Sequence, residues 1–169
     1  MEMVELGPLT AEQKAELEGD ELDPFGETGV TLRYRPKERH FALADDEGRL
    51  VASTGTVVVD VEVGAERFPV VGIGGVIVRA PYRGRGLARR VVEAALDRAR
   101  AAGPARAMLF CHADRMGLYE RLGFAEITAP VSVQQPDGTE LMSQRTMWRP
   151  LREGAAWPPG PVALQSLPF

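Results

Sequence analysis

A mixed α/β (α+β) fold in one domain is predicted by three features of the chain. Leu50–Val63 and Phe68–Val78 are two long runs rich in β-branched residues, separated by a turn at Gly64-Ala65. The second run passes through a basic, glycine-rich turn, Arg83-Gly84-Arg85-Gly86, into a segment where Leu87, Val91, Val92, Ala95, Leu96 and Ala99 recur at helical spacing. That helix stops at Gly103-Pro104, and a short apolar strand, Met108–Cys111, follows. With 169 residues, 44% of them hydrophobic, the chain can bury one real core and is too short for two comfortable ones.

The remaining elements follow in chain order. Thr10-Ala11-Glu12-Gln13 has capping-box spacing and opens a short helix ending near Gly19. Thr31–Tyr34 and His40–Ala44 read as short extended segments, with Asp46-Glu47-Gly48 turning the chain into the first long strand. Gly72, Gly74 and Gly75 lie inside the second long strand, where glycine signals a bulge or a close backbone approach. Asp114 is placed to cap a second helix carrying Leu118, Tyr119 and Leu122 up to Gly123. Ile127–Gln134 and Leu141–Trp148 flank Pro136-Asp137-Gly138 and read as an antiparallel hairpin. Residues 151–169 form a proline-rich tail that packs on or near the domain of residues 1–150, since Trp157, Val162, Leu164, Leu167 and Phe169 gain by burial.

The strand, glycine turn and helix at 76–88 read as a cradle for a multiply charged anion. The first turn of a helix leaves backbone N–H groups without partners, and they point at any anion above them. Gly84 and Gly86 carry no Cβ to hold a phosphate away, and Arg83, Arg85, Arg89 and Arg90 add positive charge beside the helix dipole. The turn lacks the Lys-Ser/Thr pair of a P-loop and the three-glycine spacing of a dinucleotide fold, so neither an ATPase nor a dehydrogenase fits. A net charge of −4 argues against general nucleic-acid binding. Cys111 is the only cysteine, which excludes an intrachain disulfide and a cysteine-cluster zinc site, and no metal is expected. No apolar run approaches the roughly 18 residues that cross a bilayer, and Glu2 and Glu5 stand where a signal peptide is basic then apolar, so a cytoplasmic location is expected.

Two motifs now resemble those of the GNAT superfamily of acyl-CoA-dependent N-acyltransferases. Arg83-Gly84-Arg85-Gly86-Leu87-Ala88 is similar to the family's Arg/Gln-x-x-Gly-x-Gly/Ala cofactor motif, and Leu118-Tyr119-Glu120-Arg121-Leu122-Gly123-Phe124 to its Tyr-x-x-x-Gly-Phe signature. They stand about 35 residues apart with helix, strand and helix between them, and with the flanking strands they cover roughly residues 40 to 150. The resemblance implies a mostly antiparallel central sheet, flanked by helices and splayed at a bulged fourth strand. It also implies an N-acetyltransferase that uses acetyl-CoA as co-substrate and needs no metal.

It assigns residues as well. Val76, Ile77 and Val78 would offer backbone groups to pantetheine, the N–H groups of Arg83, Gly84, Arg85, Gly86, Leu87 and Ala88 would hold the pyrophosphate, and Arg89 or Arg90 would reach the 3′-phosphate. Tyr119 would be the general acid to the CoA thiolate, and His112 would contact the cofactor. Many family members carry a glutamate on the bulged strand where this chain has Gly72 and Gly74, which leaves Glu62, Asp60 or His112 as candidate bases. A looser resemblance to aminoglycoside-acetylating branches, some of which use a C-terminal carboxylate, brings in Phe169. The acidic stretch Glu16–Glu27 suits a small amine acceptor, a polycationic one included, with Glu27, Glu62 and Phe169 as its contacts. Alternative functions are a non-catalytic acyl-CoA sensor and a transferase for longer acyl chains or for a protein N-terminus. A homodimer through the last hairpin is also open.

Overall fold

Pairing of the two long strands organises the molecule, whose computed structural model describes residues 1–169. The strands are β1 (Glu2–Leu6), β2 (Arg39–Ala44), β3 (Leu50–Val63), β4 (Glu66–Val78), β5 (Arg106–Cys111), β6 (Ala125–Ile127), β7 (Val131–Gln135), β8 (Gly138–Leu141), β9 (Arg145–Pro150) and β10 (Val162–Leu164). The helices are α1 (Ala11–Glu18), α2 (Leu87–Arg100) and α3 (Met116–Glu120). All ten strands join one sheet, with the order β6-β9-β5-β4-β3-β10-β7-β8 and with β2, then β1, paired to the other half of β3. The sheet is mostly antiparallel, with parallel pairs only at β4–β5 and β10–β7.

The expected bulge lies in β4. From Val63↔Glu66 to Gly55↔Gly74 the β3–β4 ladder keeps step, and then the register slips so that Ser53 faces Ile77. Gly75 and Val76 of β4 stand opposite Thr54 alone, so one extra residue is accommodated there, and Gly75 takes a positive φ of 63° that L side chains avoid. On its other edge β4 pairs with β5 only from Val71–Ile73 to Ala107–Leu109. Beyond Ile73 the two strands part, while β5 keeps β9 as its partner as far as Cys111. A wedge-shaped gap opens between them.

The core occupies both faces of the sheet. On one, the apolar stripe of α2 buries Leu87, Val91, Val92, Ala95, Leu96 and Ala99 against Leu43, Val51, Ile73, Leu109 and Met147. On the other, Val59, Val61, Val70, Met108, Val133, Leu164 and Phe169 pack together. Each fully buried residue of this kind contributes about 1.5–3 kcal/mol by leaving water. Helix α1 has little amphipathic stripe; Leu17 alone is fully buried, against Ala42, Leu50 and Ile77. Its N-terminus carries the expected capping box between Thr10 and Gln13, with bonds of 3.1 and 3.0 Å.

Several expectations are corrected. Residues 2–6 form a strand on the open edge of β2, where Met3 and Val4 lack the alternation that would have signalled it. Thr31–Tyr34 joins no strand. The hairpin expected across 127–148 is divided: β7 and β8 pair over Pro136-Asp137, but Arg145–Pro150 departs to bond β5 and β6. Asp114 caps nothing; it lies inside a single 3₁₀ turn, Ala113–Arg115, that runs straight into α3 without a side-chain cap. In the tail, Val162–Leu164 inserts as β10 between β3 and β7, and Phe169 is buried against Phe110, ring centroids 5.1 Å apart.

Gly72 explains how Phe169 fits. A Cβ at residue 72 would stand 2.7 Å from the Phe169 ring, so the glycine leaves the space that this ring fills. Gly72→Ala should therefore cost about 1–3 kcal/mol by overpacking. Urea unfolding would measure it, and an unchanged midpoint would show that the ring does not depend on that space.

Candidate active site

The gap between β4 and β5 is one end of a cavity of about 820 Å³. Its walls are the free edge of β4, the N-terminus of α2, the end of β5, α3, and the loop joining α1 to β2. At the α2 end, Gly84 and Gly86 have φ values of 76° and 74°. No atom of the chain lies within 4 Å of where a Cβ would stand at either, so within the fold the demand for glycine is conformational. Gly86 is the N-cap, and the first α-helical bond runs from Arg90 N to Gly86 O at 3.2 Å. The N–H groups of residues 87–89 therefore have no helical acceptor.

The arginines do something other than expected. Arg83 donates through Nε to Val78 O at 3.0 Å and pairs through its other end with Glu21. Arg89 pairs with Glu93 on the next turn at 2.7 Å, and Arg85 stacks over Tyr82 and does not line the cavity. These side chains are engaged by the chain itself, which leaves the backbone N–H groups and the helix dipole as the features of the turn that suit an anion.

At the centre, Val76, Ile77 and Val78 line the cavity on the edge of β4 that β5 has left. Tyr119 faces them from α3, almost fully buried, its ring edge-on to Phe124 at 6.0 Å. Burial raises its hydroxyl well above the ordinary phenol range, so it stays protonated at any working pH. His112 also lines the cavity, and its Nε2 lies 3.1 Å from Phe25 O, which it bonds as a donor in the Nε2–H tautomer. It thereby holds the α1–β2 loop beside the site. Cys111 is a core residue; burial pushes its thiol up to about 11, and it faces Met147.

The other end of the cavity is lined by Phe25, Gly26, Glu27, Tyr34, Lys37, Gln144 and Phe169. Glu27 and Phe169, two of the expected acceptor contacts, both line the cavity. Burial raises the Glu27 carboxyl, against the pull of nearby Lys37. Glu62 is a correction: it lies at the far end of β3, opposite and paired with Arg67, which also holds Asp60. Strand alternation sends both carboxylates to a solvent face remote from the gap. The acidic stretch is largely engaged by the chain, since Glu16 accepts from Leu50 N, Glu21 pairs with Arg83, and Asp23 accepts from Glu27 N and Thr28 N. Lys37 and Tyr34 escaped the sequence reading because they lie in an irregular loop without periodicity. Their one signal was the glycine pair, Gly55 and Gly74, that the fold sets beneath Lys37.

A sheet parted beside a helix N-terminus, with a tyrosine on the facing helix, is the frame of an acyltransferase. The chain belongs to the acetyltransferase (GNAT) family, whose sequence profile matches residues 8–124. Among solved structures it is similar to the GNAT family N-acetyltransferase YhbS of Escherichia coli in complex with CoA, at 21% identity and a TM-score of 0.62 over 96% of this chain and 89% of that one. It is also similar to the ribosomal-protein-S18-alanine N-acetyltransferase of Escherichia coli, at 21% identity and a TM-score of 0.54 over 92% and 100%. The N-acetylglutamate synthase of Neisseria gonorrhoeae, complexed with coenzyme A and N-acetyl-glutamate, matches at 16% identity and a TM-score of 0.58 over 90% of this chain and 36% of that longer one. No curated protein sequence matches the chain significantly.

Proposed function

We propose that the protein is an N-acetyltransferase that passes the acetyl group of acetyl-CoA directly to a primary amine of a small molecule. One observation carries this reading: a single cavity joins the helix N-terminus, the free β4 edge, Tyr119 and a separate polar end. A two-substrate transfer without a covalent enzyme intermediate needs both substrates in one continuous space. The CoA in the YhbS structure, and the CoA with N-acetyl-glutamate in the synthase, support the same use of the gap.

In this reading the N–H groups of residues 84–88 hold the pyrophosphate, that of Arg83 being engaged by Ala80 O at 3.3 Å; the groups of Val76–Val78 that β3 and Arg83 leave free bind pantetheine, and Arg89 lies near enough to the cradle to reach a further phosphate. Glu27, the carboxylate on the acceptor side, takes the proton of the substrate ammonium, and its raised pKa makes it the better base. The freed nitrogen lone pair bonds to the acetyl carbonyl carbon. The C–S bond then breaks, the sulfur takes the Tyr119 proton, and the nitrogen loses its remaining extra proton to solvent or to the phenolate. The products are the N-acetyl amine and CoA.

His112 acts by holding Phe25 and so the loop that carries Glu27. No helix is long and apolar enough to cross a membrane. The single cysteine supports a cytoplasmic location. We also take residues 1–150 as the acetyltransferase domain, with 151–169 completing its sheet.

Three substitutions test the reading, with calorimetric titration of acetyl-CoA and thiol release on a panel of amines as readouts. Gly86→Glu should abolish CoA binding, because it puts bulk and negative charge in the cradle and a side chain at φ 74°; unchanged affinity would refute the cradle. Tyr119→Phe should lower kcat by about 10²–10⁴-fold with little change in CoA affinity, and wild-type turnover would remove it as the acid. Glu27→Gln should lower kcat/KM by about 10²-fold at neutral pH. The base works only when deprotonated, so the wild-type rate should fall as pH drops through a pKa above the ordinary carboxylate value. The variant should lose that limb, and a retained limb would assign it to another group.

A further inference from the structure

We propose that Glu21 and Arg83 form a latch across the donor end of the cavity. The pyrophosphate of acetyl-CoA opens it by taking Arg83 from Glu21, and its opening loosens the loop that bears the acceptor-side residues. The proposal rests on reading the turn at residues 84–88 as the pyrophosphate cradle. Three arginines line the cavity, Arg83, Arg89 and Arg115. Arg89 pairs with Glu93 one turn on along its own helix, and Arg115 with its neighbour Asp114. Arg83 differs in being paired across the cavity: its guanidinium donates to Glu21, 62 residues earlier on the α1–β2 loop, and both residues line the space between them.

The guanidinium is engaged at both ends. Its Nε donates to Val78 O at 3.0 Å, and its Nη2 to the Glu21 carboxylate, which has no other partner. Arg83 thereby ties the strand edge on which pantetheine is read to run to the loop that faces it. A carboxylate of the chain also stands beside a turn whose N–H groups suit an anion, on the arginine that directly precedes Gly84. Glu21 and a pyrophosphate therefore compete for one guanidinium. The phosphates have the advantage, because the helix N-terminus holds them as well, whereas Glu21 has Arg83 alone. Arg83 is half-exposed and Glu21 about one-third exposed, so the pair is weak by itself and within reach of a ligand. Linkage makes the competition reciprocal: the factor by which the donor weakens the hold of Glu21 is the factor by which Glu21 weakens the donor.

The loop gives the latch its second consequence. Apart from bonds to their own sequence neighbours, residues 20–27 are tied to the molecule by polar contacts at two points, Glu21 to Arg83 and Phe25 to His112. Asp23 closes the loop on itself by accepting from Glu27 N and Thr28 N. Leu22, beside the latch, is fully exposed, so no apolar packing stands in for the pair. Opening the latch leaves His112 as the polar tie on the stretch that carries Glu27. The acceptor end then loosens once the donor is seated, which favours acetyl-CoA as the first substrate to bind. Two plainer roles act differently. A surface ion pair with no such role leaves donor affinity unchanged, and a carboxylate that merely repels phosphates acts whether or not Arg83 is present.

Calorimetric titration of acetyl-CoA into wild type, Glu21→Gln, Arg83→Gln and the double variant tests the competition. Glu21→Gln should tighten binding about 2- to 5-fold, the range for an exposed ion pair. Arg83→Gln should weaken it about 10-fold, as loss of a charge-assisted hydrogen bond does, and adding Glu21→Gln to it should change nothing further. The tightening should persist with 3′-dephospho-CoA, which keeps the pyrophosphate. Hydrogen exchange tests the loop in the wild type itself: the amides of Gly26, Glu27 and Thr28, bonded within the loop, should exchange faster when acetyl-CoA binds. Weaker or unchanged binding by Glu21→Gln overturns the latch, and so does a tightening equal in both backgrounds or one lost with 3′-dephospho-CoA. Exchange that slows or stays the same on donor binding also overturns it, without need of a variant. A wild type that does not bind acetyl-CoA overturns the reading of the cradle itself.

Discussion

The slip of register between β3 and β4 is the constraint on which the cavity depends. A β-strand pairs on two edges, and a strand fully paired on both leaves no backbone groups for a ligand. Here β4 satisfies β3 along its whole length but keeps β5 for only three residues. The bulge at Gly75 and Val76 bends the strand, and the positive φ of Gly75 makes that bend possible without strain. What remains is a row of oriented backbone groups in an otherwise closed core, next to the N-terminus of α2. Neither the helix dipole nor Tyr119 would face anything without that opening.

The α1–β2 loop is the second wall, and it is held by polar contacts at several points along its length. Glu16 bonds Leu50 N, Glu21 pairs with Arg83, Asp23 folds the segment back on Glu27 and Thr28, and His112 holds Phe25. Glu16, near the end of α1, reaches β3, Glu21 reaches the cradle and His112 the end of β5, while Asp23 closes the loop on itself. Both ends of the cavity are therefore mechanically linked through one loop. The Glu21–Arg83 pair is exposed at its arginine end, so it contributes little to stability by itself. Its place matters more, because any anion entering the cradle competes with Glu21 for Arg83.

The residues that were legible in the sequence were those whose signal is local. Long β-branched runs gave β3 and β4 to within two residues, the 3.6-residue period gave α2, and the capping box gave α1. Glycines in β4 marked the bulge, and the Arg-Gly-Arg-Gly turn marked the helix N-terminus, although the arginines proved to be braces. What escaped depends on contacts distant in sequence. Val162–Leu164 becomes a strand only because β3 outlasts β2 and leaves an edge free beside β7. Arg145–Pro150 follows β5 and not the preceding hairpin because Met147 and Trp148 find partners there in Leu109 and Met108. Lys37 sits between Pro36 and Glu38 with every local mark of a solvent loop, and its burial is decided by glycines 18 and 37 residues away.

The glycines of β4 also account for the missing strand carboxylate. Placing a glutamate at residue 72 or 74 would require its Cβ to pass within 2.8 Å of Phe169, and at residue 74 it would also meet the Lys37 stem. The fold thus has one volume beside the bulge and gives it to the ring and the main-chain end of Phe169 and to a lysine. A base on the strand and a cation in the groove exclude each other sterically. In the proposed reading, acid–base chemistry at this site comes from across the cavity, where Glu27 is one of the carboxylates lining the opposite wall. The loop anchors and the glycine groove are two parts of the same arrangement, because the proposed proton acceptor, Glu27, is carried by the loop that those anchors hold in place.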